Sequence, residues 1–180
     1  MVVSNEYLTP YVGAPGCGQV AKLCNQVIVG GTLNIIAEAL LLAQSAGADP
    51  AAVRAAIRGG FAESRILEVY GLRMLERNFI PGGQVKTTTK DMENVLKAAQ
   101  AAGVRLPVTE LVTERFRSIL SIMPNADQSA ALLALERLNP GKRVGGEPDK
   151  LPKCGANVQT TLKSHEILSE VSSVRLMSHL

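Results

Sequence analysis

Tryptophan is absent from this sequence, and aromatic residues make up only 3% of its 180 positions. A core without large rings must be aliphatic, drawn from Ala, Leu, Val and Ile. Much Ala and Leu with little Tyr or Phe favours helices over strands. Cysteine is scarce too: Cys17, Cys24 and Cys154 form an odd set with no C-x-x-C spacing. That argues against a disulfide framework and a zinc site. It fits reduced thiols in a cytoplasmic protein. No long Lys/Arg run accompanies the net charge of +3, so no nucleic-acid partner is indicated. The start, MVVSNEYLTP, lacks the basic-then-apolar order of a signal peptide.

What is present is apolar: 46% of residues are hydrophobic, as in globular chains. The length suits one domain, or one domain plus a tail. From Leu23 to Ala48 the only formal charge is Glu38. However, Asn25, Gln26, Asn34 and Gln44 are spread through this stretch, and Gly30–Gly31 interrupts it. A membrane span avoids so many polar groups. A helix buried on most sides is the better reading, and no membrane partner is expected.

Periodicity then divides the chain. Residues 1–12 read as a linker. Pro15 suits a first helical turn. Val20, Leu23, Val27, Leu33, Ile36 and Leu40 recur at helical spacing, which predicts one long helix to about Ala46 with Gly47 as its stop. Asp49-Pro50 reads as an N-cap and first turn of a short helix ending at Gly59-Gly60. Glu63 to Arg77 reads as helical, with Ile66, Leu67, Tyr70, Met74 and Leu75 as its stripe. Pro81-Gly82-Gly83 is a loop. Thr87 to Ala102 turns Met92, Val95, Leu96 and Ala99 inward. Pro107 to Ser121 does the same with Val108, Leu111, Val112, Ile119 and Leu120. Asp127 opens a last helix ending near Leu138. No strand pattern is convincing, so residues 13–139 read as one all-α, bundle-like domain. Residues 140–180 read as a disordered or weakly helical tail, with Leu162, Ile167, Leu168, Val171 and Val174 as its only stripe.

The run GAPGCGQVAKLCNQ, Gly13 to Gln26, invites a nucleotide-loop reading. Gly16-Cys17-Gly18-Gln19-Val20-Ala21 fits G-x-G-x-x-G/A formally, with Glu38 where a ribose-binding acid could be sought. The motif needs a strand before the glycines and another after the helix. Neither is predicted. A P-loop fails as well, because no Ser or Thr follows Lys22. The polar face is more informative. Lys22, Asn25 and Gln26 stand at i, i+3 and i+4, neighbours on one helix face. They suit a bound carboxylate or carbonyl, since buried polar groups need partners. On spacing alone, an exposed lysine is the simpler reading.

GAPGCGQVAKLCNQVIVG resembles the helix that opens the C-terminal domain of the β-hydroxyacid dehydrogenases, the family of 3-hydroxyisobutyrate dehydrogenase and 2-hydroxy-3-oxopropionate reductase. The family pattern, G-x-G-x-x-x-K-x-x-N-[NQ], falls on Gly16, Gly18, Lys22, Asn25 and Gln26. A second match, KDMENVLKAAQAAGVRLPVTELV, opens at Lys90-Asp91. Arg73 to Phe79 and Asp127 to Ala130 are similar too, so the resemblance covers roughly Val12 to Asn139.

The resemblance implies an oxidoreductase using NAD or NADP on a small 3-hydroxy carboxylate or its semialdehyde. By the same resemblance Lys22 is the general acid and base, Gln26 holds substrate with support from Asn25, and Lys90 contacts the cofactor. It implies a homo-oligomer. Two departures stand out. The family's N-terminal Rossmann domain has no counterpart in this sequence, so the chain alone is expected to be inactive. The tail after Asn139 has none in the family; it reads as a partner-binding segment or as sequence from an altered reading frame, and its abrupt boundary fits the second. Gln84 also stands where relatives often carry an aromatic. The alternative reading is a non-catalytic helical oligomerisation module, because the remaining helices leave too little surface to cover the long apolar one.

Overall fold

A computed structural model describes residues 11–152. Its regular elements are helices, and strand-like pairing among the described residues is confined to two isolated bridges, Asn78 with Lys150 and Gln84 with Asp127. Helix α1 (Cys17–Ser45) runs through the domain for 29 residues. Gly16, at φ 99°, turns the chain into it from the left-handed region that glycine adopts without strain. Gly47, at φ 85°, turns the chain out. Helix α2 (Pro50–Ile57) follows with the cap read from the sequence: the Asp49 carboxylate accepts the Ala51 N–H at 2.9 Å.

The next helical stretch holds a π-helical turn, Leu67–Gly71, which runs directly into α3 (Leu72–Leu75). A wider turn leaves backbone carbonyls without their usual i+4 donors. Arg54 from α2 supplies donors instead: its Nε reaches Leu67 O at 3.1 Å and its Nη2 reaches Glu68 O at 2.6 Å. Helices α4 (Val85–Ala101) and α5 (Pro107–Leu120) pack on each other and on α1. A 3₁₀ turn, Gln128–Ala130, then leads into α6 (Ala131–Leu138).

The core is the aliphatic one the composition requires, with Phe79 and Phe116 as its rings. Leu33, Ile36, Ala37, Leu40 and Leu41 of α1 sit at its centre. Gly30 marks where α1 meets the other helices: a Cβ there would lie 2.6 Å from Met92 Sδ. The absence of a side chain is what lets α4 come so close.

Three expectations are corrected. First, α1 is long and apolar enough, by length and composition, to cross a bilayer, but it is buried on one face only. Val20, Ile28, Ile35 and Leu42 are exposed, because α4, α5 and α6 cover the opposite side. Second, Val108 and Leu111 point outward. The inward face of α5 is Thr109, Val112, Thr113, Phe116 and Ile119. Thr113 is tolerated there because its Oγ1 donates to Thr109 O at 2.6 Å, which satisfies the buried hydroxyl.

Third, the stretch after Asn139 is packed as far as Pro152 rather than loose. Val144 is fully buried. The Phe79 N–H donates to Lys150 O at 2.9 Å, and the Lys150 N–H donates to Arg77 O at 2.8 Å. Arg77, itself buried, donates from Nη1 and Nη2 to Glu136 at 2.6 and 2.9 Å and from Nε to Asp149 at 2.8 Å. Burial pulls the Arg77 pKa down, but the hydrogen bonds to Glu136 and Asp149 outweigh it and hold it above its ordinary value. The weak helical stripe from Leu162 to Val174 lies outside the described residues, as does Cys154.

Candidate functional site

The first turns of α1 carry the polar group singled out in the sequence. Among the described residues no strand delivers the chain to Gly13, Gly16 and Gly18: residues 13–16 form bends and turns, and α1 continues unbroken past Glu38 to Ser45. The glycines are therefore the entry to a helix. Lys22 and Asn25 are exposed and Gln26 is half-buried. Asn25 Nδ2 donates to Gln26 Oε1 at 3.0 Å, and Gln26 Nε2 donates to Asp91 Oδ2 at 2.7 Å.

This chain of bonds has a fixed direction. A carboxylate only accepts, so Asp91 makes Gln26 present its amide nitrogen. That leaves Gln26 Oε1 toward Asn25, whose nitrogen must then face it. The Asn25 oxygen and the second N–H of each amide remain to meet another molecule. Asp91 is thus a positioning residue for both carboxamides. It also joins the two stretches read separately in the sequence, because Asp91 follows Lys90 on α4. Lys90 itself is exposed. Among the described residues neither Lys22 nor Lys90 makes a side-chain hydrogen bond or ion pair.

Beside this face lies a cavity of about 590 Å³. Asn25 and Gln26 form one wall, Ile66, Val69 and Tyr70 of the π-containing helix a second, and Gln128 a third. Lys22 and Lys90 do not line it. Its shape depends on the π turn, a feature that recurs at functional sites. Gln128 is set in turn by Thr88, whose Oγ1 lies 2.8 Å from Gln128 Oε1.

The loop below is tied by one carboxylate. Asp127, fully buried, accepts the N–H groups of Gly82 and Gly83 at 2.9 and 3.1 Å and that of Ser129 at 3.0 Å. A Cβ on Gly82 would lie 3.3 Å from Asp127 Oδ2, and one on Gly83 would lie 3.0 Å from Gln128 Nε2. Arg73 Nε stands 3.2 Å from Asp127 Oδ1 but is misaligned for a hydrogen bond, so it compensates charge without satisfying its own N–H. Among the described residues no three His, Cys, Asp or Glu side chains gather as a metal site would need.

Sequence reasoning did not assign Asp91, Asp127 or Gln128. Asp91 stood inside the quoted K-D pair and drew no role. Asp127 reads as a helix opener, which it also is, and as part of the family-like stretch Asp127 to Ala130, with no role of its own. Gln128 lies in the same stretch and likewise draws no role.

Residues 16–135 match a family model described as the NAD-binding domain of NADP-dependent 3-hydroxyisobutyrate dehydrogenase. The chain is 44% identical over 126 residues to the 2-hydroxy-3-oxopropionate reductase of Escherichia coli, covering 69% of this chain and 43% of that one. It is 37% identical over 130 residues to a probable mitochondrial 3-hydroxyisobutyrate dehydrogenase-like protein of Arabidopsis thaliana, covering 72% and 39%. Among solved structures, 3-hydroxyisobutyrate dehydrogenase from Salmonella typhimurium superposes with a TM-score of 0.63 at 24% identity, covering 67% of this chain and 42% of that one. The Mycobacterium tuberculosis enzyme with L-serine gives 0.63 at 23%, covering 69% and 45%. At these identities the two structures speak for the fold. The chain spans less than half the length of each of these relatives.

Proposed function

This chain belongs to the β-hydroxyacid dehydrogenase family, and from that premise we propose that it forms the substrate-side half of an NAD(P)-dependent 3-hydroxyacid dehydrogenase or semialdehyde reductase. The observation that carries the reading is the 2.7 Å hydrogen bond from Gln26 to Asp91, which joins the K-x-x-N-Q face of α1 to the K-D turn of α4. The exposed Lys22 and Lys90, near carboxamides with donors to spare, suit an anionic substrate and a cofactor carrying phosphates.

The cofactor, when bound, supplies the hydride. Lys22 Nζ holds the proton that the carbonyl oxygen takes on as it becomes an alkoxide, and it accepts that proton in the oxidation direction. An ammonium within hydrogen-bond reach also stabilises the developing charge. Asn25 and Gln26 hold the substrate with the N–H groups that Asp91 leaves available, and Lys90 contacts the cofactor. A Rossmann-type half, on this polypeptide or another, completes the site.

The test is a chimera of the Escherichia coli reductase's N-terminal half with this chain, assayed for oxidation of NADH and NADPH with 2-hydroxy-3-oxopropionate. Turnover is expected from the chimera and none from the 180 residues alone. Lys22→Ala in the chimera is expected to lower kcat by about 10²–10⁴-fold. A loss of only a few-fold would remove Lys22 from the chemistry, and turnover by the chain alone would remove the need for a second half.

The second reading, an oligomerisation module derived from the family, is favoured by exposed Val20, Ile28, Ile35 and Leu42 along α1. A homo-oligomer satisfies both readings. Light scattering that finds a stable monomer counts against it.

A further inference from the structure

A second cavity, of about 560 Å³, opens on the other side of the π turn and is lined by arginines. Arg54 comes from α2, Arg58 from its C-cap, Arg65 from just before the π turn and Arg73 from α3. Glu68 and Glu76 share the lining and Asp127 pairs with Arg73 from behind it, so four guanidinium groups meet three carboxylates. The groove keeps a surplus of positive charge, which concentrates anions.

The four arginines are held to different degrees. Arg54 is locked by its bonds to Leu67 O and Glu68 O, with Nη1 uncommitted among the described residues. Arg73 is anchored by Asp127 and by donating from Nη2 to Ile80 O. Arg65 pairs one nitrogen with Glu68 at 2.6 Å. Arg58 is exposed and its guanidinium makes no hydrogen bond or ion pair among the described residues. The Glu68 carboxyl is held below the usual carboxylate range, by the Arg65 hydrogen bond first, by the Arg65 charge next, and by the charges of Arg58 and Arg54 beyond that. Three guanidinium groups therefore act on one point of this groove.

A fixed guanidinium flanked by adaptable ones suits an oxyanion with several acceptors, because each planar fork can bind two oxygens of a phosphate. A lone carboxylate is a poorer fit: Glu68 already occupies that role and leaves positive charge over. We propose that the groove formed by Arg54, Arg58, Arg65 and Arg73 binds a phosphate-bearing polyanion. This site is separate from the Asn25–Gln26 cavity, yet Arg65 and Val69 line both. An anion bound on one side of the π turn therefore bears on the wall of the other.

The probe is inorganic pyrophosphate, titrated calorimetrically into the full 180-residue chain. Saturable binding is expected, weakening as NaCl is raised. Arg58→Gln with Arg65→Gln is expected to weaken it by about tenfold or more, with an unchanged thermal melt, while Lys22→Gln with Lys90→Gln leaves it unchanged. Competition with NADP⁺ separates the sources. Displacement of pyrophosphate identifies a cofactor's phosphates, its absence identifies a free polyanion, and either result keeps the site. The absence of saturable binding overturns it, as does equal affinity in the Arg58/Arg65 variant. Loss of binding in the Lys22/Lys90 variant overturns it too, since the anion would then sit on the α1 face. Should the double arginine variant melt early, pyrophosphate-induced NMR shifts of the Arg54, Arg58 and Arg65 Nε–H groups in the native chain decide the location; unmoved signals sink the proposal.

Discussion

Lys22 and Arg77 carry the same charge in opposite surroundings. Lys22 is exposed on the first turns of α1, without a side-chain partner among the described residues. Arg77 is buried, with Glu136, Asp149 and the Val144 carbonyl around its guanidinium. The first arrangement leaves hydrogen-bonding capacity open to a ligand. The second uses it up within the fold. Stability and open hydrogen-bonding capacity therefore separate in this domain: the region around Arg77 holds residues 140–152 in place, whereas the region around Lys22 leaves its polar groups available.

The largest effect that could break this contrast is at Arg77. Arg77→Met leaves Glu136 without its cation and Asp149 with Arg143 alone, and is expected to cost about 3–5 kcal/mol, as for other broken buried pairs. Denaturant unfolding measures it. A loss below about 1 kcal/mol would place Arg77 with ordinary surface pairs instead. Gly30 lies between the open and buried parts of α1. Gly30→Val pushes a side chain into Met92 and is expected to destabilise by about 1–3 kcal/mol. An unchanged melt would mean that α4 moves aside without cost. The smallest effect sharpens the contrast from the other side. Lys22→Ala is expected to alter stability by no more than about 0.5 kcal/mol, and a larger loss would show that Lys22 is structurally committed after all.

Helix positions were legible because their punctuation is local. Gly47, Asp49-Pro50, Gly103 and Pro107 act within a turn of where they stand. The inward face of α5 was not, because Thr109 and Thr113 read as polar until the hydroxyl of one is seen to bond the backbone of the other. Nor was the packing of residues 140–152. It depends on Arg77 meeting Asp149 across 72 positions, a pairing that leaves no periodicity behind. The candidate site divides the same way. Lys22, Asn25 and Gln26 form a local pattern on one face, whereas Asp91 acts on Gln26 from 65 residues away.

The π turn at Leu67–Gly71 has a consequence for insertions and deletions. Each residue of an α-helix advances the side chains by about 100°. The wide turn is therefore a phase step between Arg65 before it and Leu72 after it. Removing one residue from the step would swing Arg65 by about that angle relative to α3. It would also take Arg65 and Val69 off the partition they share between the two cavities. Chain length in these five residues is thus under tighter geometric control than side-chain identity, and a single-codon deletion there would be felt on both sides of the helix at once.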